Sequence, residues 1–286
     1  MPQSFTARPN RPTHKTRRSV LVTGAAGNIG SYFAEQSCKR YKLRLLVHDE
    51  DDERKVKRLC DFGEVVTGDI RDVDDLTKHC ASIDTVLHLA ANPSPQADWD
   101  SVLNVNMVGT YNTFIAAQRA KCRRVIYASS IHAVSGYPAD VQVKSSDPVN
   151  PGDLYGVSKC FGEALARYMA EQEELSSIAL RIGAFQPDKS ARKDSGINML
   201  DAWVSQRDLN QLIEKCIDDE TLKFAIFNGL SNNRFKRLDI SDARELIGYA
   251  PQDDLTEVNP QLKPLHLTAR VQTHNVSDQK RKKAKT

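Results

Sequence analysis

Short apolar runs alternate along the chain with longer stretches in which apolar residues recur every three or four positions. The runs at 20–23, 43–47, 64–67, 85–89, 124–128 and 177–182 predict strands. The stretches at 28–40, 51–62, 73–80, 99–120 and 154–175 carry the helical period. Regular alternation of this kind predicts an α/β domain in which a parallel sheet is covered on both faces by helices. Beyond residue 182 the alternation fades. Residues 186–198 read as a polar loop, 199–216 as a loop entering a helix, 224–228 as a strand and 242–246 as a short helix. This stretch is too short for an independent domain, so it is expected to form a small substrate cap over the sheet edge from about residue 183.

The ends differ from the middle. Residues 1–18 hold three prolines and no apolar period, and predict a disordered basic leader. Residues 251–286 predict an arm and a basic tail, leaving 19–250 as the folded domain. The net charge of +3 hides an uneven distribution. Arg8, Arg11, Lys15, Arg17 and Arg18 lie in the leader, and Lys280, Arg281, Lys282, Lys283 and Lys285 in the tail; without those ten the body stands at −7. A body of that sign argues against nucleic acid as the partner. No apolar run approaches the roughly 18 residues of a membrane span, and no signal peptide opens the chain. The six cysteines (38, 60, 80, 122, 160 and 216) show no metal-ligand spacing, which suits reduced thiols in the cytoplasm.

The stretch LVTGAAGNIGS, residues 21–31, places Gly24, Gly27 and Gly30 where the first strand meets the first helix. In a dinucleotide site the first glycine makes the tight turn. The second lets the backbone approach the pyrophosphate, and the third lets helix and strand pack closely. The helix N-terminus then offers free N–H groups and a positive dipole end to the phosphates. The strand before and the helix after supply the required context, and the fold class becomes a doubly wound parallel sheet of Rossmann type. Asp49, about 20 residues on, stands where NAD enzymes place an acid for the ribose. The acidic run from Asp49 to Glu53 repels an additional phosphate, so NAD is expected, with NADP as the alternative.

LYGVSKCFGE holds Tyr155 and Lys159, four apart on one helix face, the only such pair among the eight tyrosines. An ammonium beside a phenol favours the phenolate, which makes Tyr155 a candidate base for a hydroxyl proton.

The glycine spacing and the Tyr–Lys pair resemble the extended short-chain dehydrogenase/reductases, the epimerase–dehydratase group, over about residues 19–250. The resemblance implies cofactor contacts from Gly24, Gly27, Asn28, Ile29, Gly30 and Asp49. It adds Asp69 and Ile70 of GDIRD, Leu89, Ala90 and Ala91 of HLAAN, and Asn106 of NVNMVGT, with Tyr155 and Lys159 shared with catalysis. Many relatives place Ser or Thr where Ile131 stands; here Ser130, or second to it Ser129, takes that task. Dehydratases of the group carry an Asp-Glu pair where Ile131-His132 stands, so elimination chemistry is disfavoured.

SSIHAVSGYP, LYGVSKCFGE, LRIG and MLDAWVSQRDL together resemble the uronate dehydrogenases, which oxidise C1 of a hexuronic acid to a lactone with NAD. That likeness implies oxidation of a hexuronic acid or an aldose. It implies substrate contacts from Ser94, Ser130 and His132, and from Arg181 as the carboxylate grip. From the residues alone, His132 equally suits a structural role, and Arg181 equally suits a pair with an acid near the sheet end. Asp208 is expected to begin a late helix as its cap. An NAD-dependent epimerase and a cofactor-sensing regulator are the competing functions. The intact Tyr–Lys pair counts against the regulator, and the short C-terminal region against a nucleotide-sugar epimerase. A homodimer or higher homo-oligomer is implied by the family.

Overall fold

A computed structural model describes residues 17–49 and 51–262. The elements run in the order β1 (Ser19–Thr23), α1 (Asn28–Ser37), β2 (Lys42–Val47), α2 (Glu53–Leu59), β3 (Glu64–Thr67), α3 (Val73–His79) and β4 (Thr85–His88). Next come α4 (Trp99–Ser101), a π-helical segment (Val102–Val108), α5 (Gly109–Arg119), β5 (Arg124–Ser130) and α6 (Leu154–Glu171). The chain then forms β6 (Ser176–Ile182), β7 (Ala184–Phe185), α7 (Asp188–Ala191), β8 (Trp203–Val204), α8 (Gln206–Asp218), β9 (Phe224–Gly229), α9 (Ser241–Ile247) and α10 (Leu255–Val258).

Seven parallel strands form one sheet in the order β3-β2-β1-β4-β5-β6-β9. The order reverses between β1 and β4, and ligands of doubly wound sheets bind outside the carboxyl ends of the strands at such a point. Alternate residues of each strand feed two cores. Val20, Val22, Leu43 and Leu45 face one side with Phe33 of α1 and Leu209, Leu212 and Ile213 of α8. Leu21, Leu46, Val86 and Val125 face the other with Leu76 of α3, Phe114 of α5 and Met169 of α6. Both faces are dry, as a parallel sheet requires.

Three expectations from the pattern are corrected. The stretch after residue 182 is not wholly a cap, because β9 pairs in parallel with β6 and completes the main sheet. Of the three strands after residue 182, β7 and β8 pair with each other outside that sheet. The cause is Arg124, a buried residue at the start of β5 whose guanidinium donates to the Cys216, Asp219 and Leu222 carbonyls. It caps the C-terminal end of α8 and brings the chain back beside β6. Likewise, the helix expected over 99–120 is interrupted by the π-helical segment. The arm, expected from residue 251, packs inward as far as Leu262: Leu255 and Leu262 are buried with Trp203 and Ala191. The leader up to residue 16 and the tail from 263 lie outside the described residues.

Close packing of α6 on the sheet depends on Gly162. A Cβ there falls 2.2 Å from Tyr127 Cζ, on a ring that is itself buried. Overpacking of this kind forces backbone shifts. Gly162→Ala is therefore expected to cost about 3 kcal/mol in denaturant unfolding, whereas an unchanged midpoint would show that α6 is free to move outward.

Candidate active site

The cavity of about 610 Å3 at the carboxyl ends of the central strands is built from four pieces of chain together with a far wall at residues 182–186 and Ala202. The first is the β1–α1 turn. Gly24 adopts φ +66°, and a Cβ at that position stands 2.8 Å from Ala90 N. Gly30 packs against the same turn, where a Cβ meets Gly24 O at 2.5 Å. Gly27 is the N-cap of α1, and no side chain caps that end. The first amides of a ten-residue helix thus point into the cavity beside Gly24, Gly27, Asn28, Ile29 and Gly30. This cradle, backbone amides without a competing side chain, fits the pyrophosphate of a dinucleotide.

The second piece is the end of β4. Thr23 Oγ1 accepts from Leu89 N and Ala90 N, both at 3.2 Å, and contacts His88 Nδ1 at 2.8 Å. This fixes Leu89 and Ala91 in the wall, with Pro93 beyond them. The third is β5 with the turn after it, which contributes Ala128, Ser129, Ser130, Ile131 and His132. The fourth is α6, whose N-cap Asp153 accepts from Gly156 N at 2.7 Å and so aims Tyr155 and Lys159 inward.

Tyr155, Lys159 and Ser130 therefore meet in one cavity. Lys159 Nζ lies 5.4 Å from the Tyr155 ring centroid and 5.1 Å from that of Tyr127. Burial raises the Tyr155 phenol above its ordinary value; its hydrogen bond with Ser130 works in the opposite direction, and the Asp153 charge adds to the rise. Burial alone lowers Lys159 to about 7. Nearby His88 is pushed down to about 3, first by burial and then by the Lys159 charge. Burial thus disfavours the charged form of both members of the pair.

Other residues from the sequence lie elsewhere. Arg181 does not line the cavity. It is 1% exposed, with Nε and Nη2 each 2.9 Å from the Glu163 carboxylate. Ser129 Oγ donates to the same carboxylate at 2.6 Å. The substrate carboxylate expected on Arg181 finds another acid beside it: Glu163 of α6 takes Nε and Nη2, and Nη1 is buried without a hydrogen-bond partner among the described residues. Asn106 is spent on the scaffold, accepting from Asn92 N at 2.8 Å and donating to Asn92 O and Ser158 Oγ. Ser94 belongs to a turn, receiving Gln96 N, and is not in the cavity wall. Ile70 packs under α5, where a Cβ on Gly109 meets its Cδ1 at 2.4 Å. Asp49 and Asp69 stand at the ends of β2 and β3 around His48, at 2.8 Å and 4.0 Å from its two ring nitrogens. Asp69 is held below the usual carboxylate range, chiefly by its hydrogen bond with Arg71. Asp208 is not the cap of α8; Ser205 is, and Asp208 accepts from Ser231 Oγ and from the amides of Gln252 and Asp253.

Sequence reasoning missed Glu163, Asp153 and the far wall formed by Phe185, Gln186 and Ala202. Glu163 follows Lys159 by one helical turn, and Asp153 opens the same helix, so both carried a local signal. The far wall carried none, because it is assembled by the β7–β8 pairing.

The chain belongs to the NAD dependent epimerase/dehydratase family, which matches residues 20–200. It is 32% identical to the NAD-dependent glucose-6-phosphate dehydrogenase of Haloferax volcanii, over 86% of this chain and 97% of that one. It is 34% identical to the L-arabinose 1-dehydrogenase (NAD(P)(+)) of the same organism, over 84% and 98%. Among solved structures, the uronate dehydrogenase from Agrobacterium tumefaciens superposes with a TM-score of 0.74 at 28% identity, covering 91% of this chain and 92% of that one. The chain is thus an extended short-chain dehydrogenase/reductase, and it is similar in fold and sequence to the uronate dehydrogenases.

Two outcomes follow from the buried charges. Arg181→Ala leaves Glu163 buried without its partner and is expected to cost about 3–5 kcal/mol in urea unfolding; a loss under 1 kcal/mol would mean the pair is solvated. Lys159 binds its proton less readily folded than unfolded, where lysine titrates near 10.4. The unfolded chain therefore holds more protons between about pH 7 and 10, and this residue's contribution to stability increases with pH across that window. Without added nucleotide, Lys159→Met is expected to flatten that rise relative to the parent protein, and an identical pH profile would refute the depressed value.

Proposed function

We propose that the protein is an NAD-dependent dehydrogenase that oxidises the C1 hydroxyl of an aldose to the lactone. The observation that carries this reading is the convergence of Tyr155, Ser130 and Lys159 on the cavity that also holds the β1–α1 glycine turn. The named relatives act on sugars with NAD or NAD(P).

When bound, NAD supplies the hydride acceptor. The amides at the start of α1 would hold its pyrophosphate, and Asp49 and Asp69 would meet its adenosine end. Tyr155 Oη takes the C1 hydroxyl proton. Ser130 Oγ, which favours the Tyr155 phenolate and lines the same cavity, orients that hydroxyl. Lys159 stabilises the phenolate once the cavity is filled and holds the ribose. C1 would give the hydride of its C–H bond to bound NAD and its hydroxyl would give a proton to the Tyr155 phenolate, which balances the two-electron oxidation to a lactone.

A neutral aldose is favoured over a hexuronic acid because the arginine expected to bind a carboxylate is committed to Glu163. Among the cavity-lining residues the lysine or arginine charge is that of Lys159, which the cofactor and Tyr155 engage. We place the protein in the cytoplasm, in keeping with six free cysteines. No helix among the described residues is long and apolar enough to cross a membrane. A homodimer through α5 and α6 is supported by the exposed apolar side chains Val108, Tyr111, Leu154, Val157 and Tyr168 on that face.

Nicotinamide reduction with NAD, followed across neutral aldoses, sugar phosphates and uronic acids, tests the reading. Reduction is expected with a neutral aldose, and Tyr155→Phe is expected to lower kcat about a thousandfold while the cofactor still binds. Full activity in that variant would remove Tyr155 as the base. A preference for uronic acids would overturn the neutral-substrate assignment.

A further inference from the structure

Asp153 opens α6, two residues before Tyr155, and its two carboxylate oxygens do different things. Oδ1 accepts from Gly156 N at 2.7 Å and caps the helix. Oδ2 stands 2.6 Å from His132 Nδ1. The imidazole is set edge-on against the Tyr155 ring, with centroids 5.4 Å apart, and it lines the cavity. The contact is tightly enforced, since a Cβ on Gly156 falls 2.3 Å from His132 O. Among the described residues, no hydrogen bond to protein uses His132 Nε2.

An ionised carboxylate only accepts, so Nδ1 must carry the hydrogen in this pair. Nε2 is left as the ring nitrogen available to the cavity, and in the neutral ring it is an acceptor. We infer that Asp153 is a positioning residue that presents His132 Nε2 to a second hydroxyl of the sugar, next to the one that Tyr155 deprotonates. The inference rests on the dehydrogenase reading for its substrate and on the 2.6 Å pair for its geometry. It gives the site a discriminating contact that needs a hydroxyl donor, which an aldose ring offers at several carbons. The same carboxylate ties that contact to the first turn of the helix that carries the base, so His132 and Tyr155 are placed together.

The ring can be read without turnover. In the full chain with 15N-labelled histidine, His132→Gln identifies the His132 signals by their loss. The parent protein is expected to carry the His132 hydrogen on Nδ1. Asp153→Ser keeps a good helix cap but cannot reach the ring, so the Nδ1–H preference is expected to disappear while the melting temperature changes little. A ring protonated on Nε2 alone in the parent protein, or one unchanged in Asp153→Ser, would overturn the positioning role.

Kinetics then test the hydroxyl contact. With NAD and the best aldose, Asp153→Ser and His132→Gln are expected to raise KM about tenfold, with the smaller part of the loss in kcat. Removing one ring hydroxyl from the sugar is expected to cost the parent protein a similar factor and the Asp153→Ser variant almost nothing further. Equal losses in both proteins would overturn the hydroxyl contact. If no sugar is oxidised, the dehydrogenase reading and the hydroxyl contact both fail, while loss of the Nδ1–H ring in Asp153→Ser would still establish Asp153 as the residue that sets the histidine.

Discussion

The Glu163 carboxylate is the joint on which the site depends. From inside α6 it receives Arg181 of β6 through two hydrogen bonds and Ser129 of β5 through a third. Three elements are thereby locked at the depth where β5 delivers Ser130 and α6 delivers Tyr155 and Lys159. A buried ion pair of this kind is a poor source of net stability, because desolvation offsets much of the attraction. Its strength lies in geometry: both partners are under 4% exposed, and neither finds an alternative in water. Slippage of α6 by one turn would strand two charges, so the helix has one register.

That register sets the electrostatics of the cavity. Lys159 and His88 share one buried pocket beneath the cofactor cleft, and burial disfavours the charged form of each. Tyr155 is driven the other way by the same burial, towards the neutral phenol. The Lys159 charge is not among the causes that shift the Tyr155 phenol. Ser130 alone among the side chains around Tyr155 favours the phenolate beforehand.

The neighbouring scaffold follows the same economy of polar groups. Asn106 lies in the π-helical segment, where the altered turn lets both ends of its amide satisfy the loop at Asn92 and the helix at Ser158. Arg124 closes the C-terminal end of α8 with three carbonyls, and Asp208 gathers two amides of the arm. Each is a buried polar side chain substituting for water at a backbone end. Arg124 and Asp208 between them tie α8 and the arm to the rest of the domain.

The sequence by itself determined the parallel sheet, its helices and the dinucleotide turn, because these rest on local periodicity and on glycine at Gly24, Gly27 and Gly30. It also determined that Tyr155 and Lys159 share a helix face, since spacing of four residues settles that without any partner. It could not decide what Arg181 touches: an arginine at the end of a strand reads alike whether it meets a substrate or an acid from a helix 18 residues earlier. Nor could it place β9 in the main sheet, because its ladder partners in β6 lie far back along the chain, Ser177 opposite Phe224. The cavity's far wall, the partner of His132 and the fate of Arg181 were decided by tertiary structure alone. Each depends on which buried donor finds which acceptor once the chain has closed, and no local pattern records that choice.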